Sequence, residues 1–276
     1  MQANLSISIN RQHPVRVLVV VCVALFGLLI LISSVVRGRG SQGMKEVKLS
    51  VEDPRPVAKA IEILEAKYGW VITYEDPRYI HDSEVTDVTL KVRKDLDKYK
   101  PGEAPKVLIP KGGKLEFSYD ETFNTNLPGD PRLVVQKLLD AQAARSYGGK
   151  FRLENIGKVM HVIPVAIKNS DGVVTPQGSV LDTIISLPAG ERTVEQKLES
   201  ICAAVSRATK IPVELGAYPT NMFHQRRDQH GAVSQRARDI LVNTFESMGN
   251  GIKLSWQLFY SASLKTYLLN VHLVSN

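Results

Sequence analysis

Residues 17–36 read VLVVVCVALFGLLILISSVV, twenty residues with no charge and only two strongly polar side chains, both serines. At about 1.5 Å per residue a helix of this length spans roughly 30 Å, the hydrocarbon thickness of a bilayer. The stretch is therefore expected to be a transmembrane helix, preceded by a tail over 1–16 and followed by a linker over 37–45. Arg11 and Arg16 flank it in front and Arg37 and Arg39 behind, where they can meet lipid head groups. A signal peptide has a shorter apolar core and a small-residue cleavage site. Here Ser33 to Gly38 carries no A-x-A pattern, so the segment reads as a retained anchor. Cys22 sits in mid-span after Val19-Val20-Val21, which does not fit a lipoprotein. The basic count slightly favours the rear flank inside, but long domains translocate largely regardless of charge. The expectation is a single-pass protein whose polar part is extracytoplasmic, periplasmic in a two-membrane bacterium.

The formal charge of +7 does not mark a nucleic-acid binder. Residues 1–44 carry four arginines and no acid, which leaves 31 basic against 28 acidic side chains over the remaining 232 residues. That is a mixed, solvated surface, and no nucleic-acid partner is expected. The two cysteines, Cys22 in the span and Cys202 on a helix stripe, supply no disulfide framework.

Beyond the anchor the chain alternates strand and helix patterns, and one order recurs. Glu46–Val51 reads as a strand, and Asp53, Pro54 and Pro56 mark a helix start. Val57, Ala60, Ile61, Leu64 and Tyr68 form one helical face, Gly69 ends it, and Trp70–Tyr74 reads as a strand. A second helix begins at Pro131, with Val134, Val135, Leu138, Leu139 and Gln142 on its buried side; strands over Phe151–Leu153 and Val159–Val165 follow. The same order returns about 137 residues on: a strand over Ile184–Leu187, then a helix capped by Thr193 with Gln196, then a strand over Ile211–Leu215. A helix striped by Ala237, Ile240, Leu241, Phe245 and Met248 and strands over Leu254–Leu258 and Tyr267–Val274 complete it. The expected fold class is α+β: two β-α-β-α-β-β modules, over 46–167 and 181–276, joined by a linker over 168–180. The first holds a longer insert, with an alternating strand over Val85–Val92 and a hairpin about Pro110–Gly113.

The segments Val57–Glu75 with Arg132–Glu154, and TVEQKLESICAAVSRATKIPVEL with RARDILVNTFESMGNGIKLSW, resemble the short N-terminal domains of secretins and TonB-dependent receptors. The resemblance is one of pattern and covers most of the polar part. It implies non-enzymatic envelope modules that pack against partner domains. No secretin barrel or receptor plug follows, so what carries over is docking or assembly rather than a channel.

The sequence offers no catalytic set. It contains no G-x-S-x-G, P-loop, G-x-G-x-x-G, H-E-x-x-H or C-x-x-C. His161 and His272 read as partly exposed strand residues, and Glu62 and Glu65 as helix-face partners of Lys59 and Lys67. Trp70, Trp256, Tyr260 and Tyr267 read as core or sheet-face aromatics. One cluster stands out: His224, Arg226, Arg227, Asp228 and His230. Two imidazoles and a carboxylate within seven residues lack a fixed register and a strong third zinc ligand. The cluster is read as a loop offering a contact surface, with no metal and no cofactor. The expected function is a membrane-anchored, extracytoplasmic, non-catalytic interaction or assembly module. Its expected partners are membrane lipid through residues 17–36 and an unknown envelope protein. The alternative is an exported small-ligand-binding protein, or a hydrolase with its site between the modules.

Overall fold

The computed structural model describes residues 43–122, 125–249 and 251–275. The expected membrane segment, with Arg11, Arg16, Arg37 and Arg39 at its flanks, lies outside the described residues. Among those described, no helix is long and apolar enough to cross a membrane.

The fold is mixed α/β. In the first half, β1 (Met44–Asp53), α1 (Pro56–Tyr68) and β2 (Ile72–Glu75) are followed by β3 (Val85–Asp87), α2 (Thr89–Val92) and β4 (Leu108–Pro110). Then come β5 (Gly113–Thr122), α3 (Pro131–Ala143), β6 (Lys150–Ile156), β7 (Val159–Lys168) and β8 (Val174–Pro176). In the second half, β9 (Ile184–Leu187), β10 (Arg192–Thr193), α4 (Val194–Thr209) and β11 (Val213–Leu215) precede α5 (Thr220–Gln225) and β12 (Arg227–Asp228). The chain finishes with β13 (Ala232–Arg236), α6 (Ala237–Ser247), β14 (Leu254–Ser261) and β15 (Thr266–Leu273).

Local chemistry accounts for the helix limits. Pro56 opens α1, and Gly69 closes it with φ 64° in the left-handed region. Asp130 caps α3 by accepting the Arg132 N–H, with Pro131 in the first turn. Thr193 and Gln196 form the reciprocal capping box of α4. The apolar stripes of these helices are buried: Val57, Ala60, Ile61 and Leu64 on α1, Val134, Val135, Leu138 and Leu139 on α3, Leu198, Ile201 and Val205 on α4.

One seven-stranded sheet crosses both halves in the order β11-β15-β14-β2-β7-β6, with β8 added to β7. Within each half the pairing follows the same register. Ile72 and Tyr74 of β2 lie parallel to Met160 and Val162 of β7, as Val213 and Leu215 of β11 lie parallel to Tyr267 and Leu269 of β15. Leu153 stands opposite Val162, as Leu258 stands opposite Leu269. The detail extends to the helix before each parallel strand. Glu65 of α1 accepts the Ile72 N–H seven residues on, and Ser206 of α4 accepts the Val213 N–H, also seven residues on. The halves join where β14 lies parallel to β2, with Gln257 opposite Tyr74 and Leu258 opposite Glu75.

The two helical layers lie on opposite faces of this sheet. Ile72, Tyr74, Met160 and Val162 pack with α1, α3, β1 and β5 in one cluster. Leu254, Trp256, Leu258, Tyr267 and Leu269 pack with α4, α6 and β9 in the other. Because side chains alternate along a strand, Thr73, Glu75 and His161 point away from the first cluster, toward the layer of the second half.

Several expectations change. The run Val85–Val92 is a strand only to Asp87; the Asp87 carboxylate accepts the Thr89 N–H and turns the chain into α2. No hairpin forms about Pro110–Gly113, since β4 pairs with β3 and β5 pairs with β1. Lys111 N–H donates to the Glu84 carbonyl, and Gly112 lies so close to Asp53 that a Cβ there would sit 2.0 Å from its carbonyl oxygen. Glu65 is buried instead of lying on a polar helix face. The segment 168–180 holds β8, which folds back on β7, and Ser179, which is buried.

Candidate functional site

The junction of β2 and β14 gathers two of the buried charged nodes of the described residues. Glu75 ends β2 and Asp76 follows it, with relative exposures of 1% each. Asp76 accepts four hydrogen bonds: from Arg55 Nε at 2.7 Å, Tyr74 Oη at 2.8 Å, Tyr79 Oη at 3.2 Å and the Tyr260 backbone N–H at 2.9 Å. Arg55 also donates to the Tyr260 carbonyl at 3.0 Å and stacks its guanidinium over Phe259 at 4.6 Å. On the opposite face, Glu75 accepts Arg238 Nε at 3.1 Å and Nη2 at 2.8 Å and the Ser179 hydroxyl, while Arg238 Nη1 donates to Asp182. Arg238 is fully buried. A buried charge without a partner costs several kcal/mol, so these two nodes hold the halves in one register. Their carboxylates are saturated by donors and serve as fasteners.

His161 lies one strand further along. It is fully buried, against the expectation of partial exposure, because the second helical layer covers that face. Its Nδ1 is 2.7 Å from Thr73 Oγ1, and its ring packs on Trp256 with centroids 5.3 Å apart. Burial, and then the positive charge of Arg238, hold its pKa down at about 3, so it is neutral in the fold. His161 Nε2 and Trp256 Nε1 are both buried without a hydrogen-bond partner.

At the end of the sheet where β2 and β14 begin, a half-open cleft of about 590 Å³ separates the C-terminus of α6 from the N-terminus of α3. Trp70, Val71, Met160, Phe245, Leu254 and Trp256 supply its apolar wall, and Arg132, Lys158 and Lys253 stand among its polar lining. Lys253 Nζ donates to the Gly69 carbonyl, and Arg132 is paired with Asp130.

The cluster singled out in the sequence is only partly brought together. His224 sits 2.8 Å from Glu195 across α4 and α5. Asp228 is buried and bonded to Lys197 Nζ at 2.8 Å, so it is not offered to a partner. Its other carboxylate oxygen accepts the His230 N–H at 2.7 Å. Arg226, Arg227 and His230 are exposed. Among the described residues no group of three or more His, Cys, Asp or Glu side chains could hold a metal ion. Cys202 is buried, and that burial pushes its thiol up to about 12, out of nucleophilic range.

Sequence reasoning passed over Glu75, Asp76 and Arg238. The available signal was two acids closing a strand whose other residues are β-branched or aromatic. Comparison with known protein families, curated proteins and solved structures finds no match.

Proposed function

We propose that the chain is a membrane-anchored, non-catalytic interaction or assembly module of the cell envelope, its polar part extracytoplasmic and built from two copies of a β-α-β-α-β-β unit. The resemblance to the short N-terminal domains of secretins and TonB-dependent receptors favours this reading. The observation that carries it is the pair of open sheet edges, β6 at one end and β11 at the other. An exposed strand edge offers unpaired N–H and C=O groups, and extended segments add to such edges by backbone hydrogen bonds. The saturated charges at the junction support a structural rather than a catalytic centre. Arg226, between α5 and β12, and Arg227, the first residue of β12, are a second candidate contact, both exposed.

The test is in-cell crosslinking of the full-length chain carrying a C-terminal tag, with mass spectrometry of the purified adducts. The reading expects a stoichiometric envelope protein crosslinked next to β6, β11 or Arg226–Arg227. Recovery of uncrosslinked chain alone would sink it.

The cleft favours a second reading, binding of a small apolar ligand, because both tryptophans of the chain line it. Saturable quenching of tryptophan fluorescence by an apolar probe, abolished by Phe245→Arg, is its expected mark; unsaturable quenching excludes it.

A further inference from the structure

We infer that the partner at these edges is a second copy of the chain, with β6 of one molecule adding in parallel to β11 of the next. This inference rests on the assembly reading above and names its partner.

The chain already makes this joint once, internally. Within each half the three strands run in one spatial order, β6-β7-β2 and β14-β15-β11, with matching registers. The internal joint uses the last strand of the first set, β2, and the first strand of the second set, β14. The corresponding strands left unjoined are β11, which matches β2, and β6, which matches β14. A joint between unlike edges is heterologous and leaves the same two edges open at its ends, so it propagates rather than closes.

The ladder groups needed are in place. Tyr267 N–H donates to Pro212 and Gly216 N–H donates to Leu269, so the alternation turns the N–H and C=O of Val213 and Leu215 outward from β15. Ser206 Oγ takes the Val213 N–H, as Glu65 takes the Ile72 N–H inside the internal joint, and also donates to the Val213 carbonyl at 3.2 Å, so strand addition at this edge uses the Leu215 groups. Ile156 and Val159 pair across the two-residue turn of the β6–β7 hairpin, which leaves Phe151, Leu153 and Asn155 facing outward. Carrying over the internal register, in which Gln257 meets Tyr74 and Leu258 meets Glu75, places Arg152 opposite Leu215 and Leu153 opposite Gly216 of the next copy. The edges also differ in charge: β6 carries Lys150, Arg152 and Glu154, the last two paired with each other, and β11 carries Glu214 alone. The Asp76 fastener has no counterpart at β11, where Ala217 follows, so the outer joint is weaker than the inner one. Confinement to a membrane would raise the effective concentration and offset that weakness.

The test uses the full-length chain reconstituted in liposomes. Arg152→Cys and Leu215→Cys chains, mixed and mildly oxidised, should give a disulfide-linked heterodimer. The double variant should give a ladder of dimers, trimers and higher species, and the parent chain, with Cys22 and Cys202 only, should give neither. Independently of any substitution, resonance energy transfer between C-terminal fluorophores on the parent chain should exceed the level that random placement at the same membrane density gives. Dimers of Arg152→Cys with itself would indicate symmetric β6–β6 pairing and overturn the inference. So would monomers alone combined with energy transfer no greater than random placement at the same density gives. If the inference fails while in-cell crosslinking still recovers a different envelope protein, the assembly reading stands; if both fail, it does not.

Discussion

Arg238 shows how a single side chain can decide whether two halves stay together. It is fully buried and divides its donors between Glu75 and Asp182. Arg238→Met keeps the volume but strands the Glu75 carboxylate, and is expected to cost about 3–5 kcal/mol in urea unfolding. Adding Glu75→Gln should recover part of that loss; no recovery would show that the node contributes by packing alone. His161 and His272 give the protein opposite pH responses. His161 titrates near 3 in the fold against an ordinary 6.5, so the unfolded chain binds more protons between those values. Stability then falls as pH drops through that window, by at most about 1.4 kcal/mol per pH unit, and His161→Gln should flatten the slope. At His272 burial alone would depress the imidazolium, but the bond to Glu65 and that residue's charge outweigh it and raise the pKa. That contribution is fully present below the ordinary value and is lost as pH rises through the raised one. It is reduced by solvent, since the His272 side chain is about a third exposed. Chemical denaturation of the parent and of His272→Gln between pH 6 and 9 measures it, and the parent should lose the greater share of its stability.

At the scale of elements, the four long helices were legible, while the insert and the short helix α5, read as part of a loop about His224, were not. The stripes of α1, α3, α4 and α6 and the Thr193–Gln196 box are local patterns, written within a turn or two of the residues they control. Thr193→Ala removes the hydroxyl that accepts the Gln196 N–H and should cost about 1 kcal/mol by thermal unfolding. The expected Pro110–Gly113 hairpin failed because strand partners are chosen over long range: β5 pairs with β1, about sixty residues earlier in the chain. Gly112 carried the hidden signal, since only a residue without a side chain fits against the Asp53 and Pro54 carbonyls. Gly112→Ala is therefore expected to cost about 1–3 kcal/mol or more, against well under about 1 for Gly129→Ala, where there is open space and no positive φ. Equal costs would contradict the close approach. Glu65 misled for a related reason. Its position on α1 looks polar by periodicity, yet β15 brings His272 to within 2.7 Å of it from the far half of the chain.

For the whole molecule, the order of elements in sequence anticipated the two similar strand sets but not their fusion into one sheet. Nothing local to Tyr74 or Leu258 indicates that β2 and β14 pair. That pairing follows from burying both strands between two helical layers on opposite faces. The same fusion fixes which edges remain open, and the proposed function rests on those edges. The most direct measurement is amide hydrogen exchange on the full-length chain, compared between dilute detergent micelles and densely loaded liposomes. The account predicts that the Leu153 and Leu215 amides exchange fast when the chain is dispersed and become protected in the loaded membrane, while Asp76, bonded to Leu258 within the chain, is protected in both. Equal, fast exchange of these two edge amides in both preparations would contradict it.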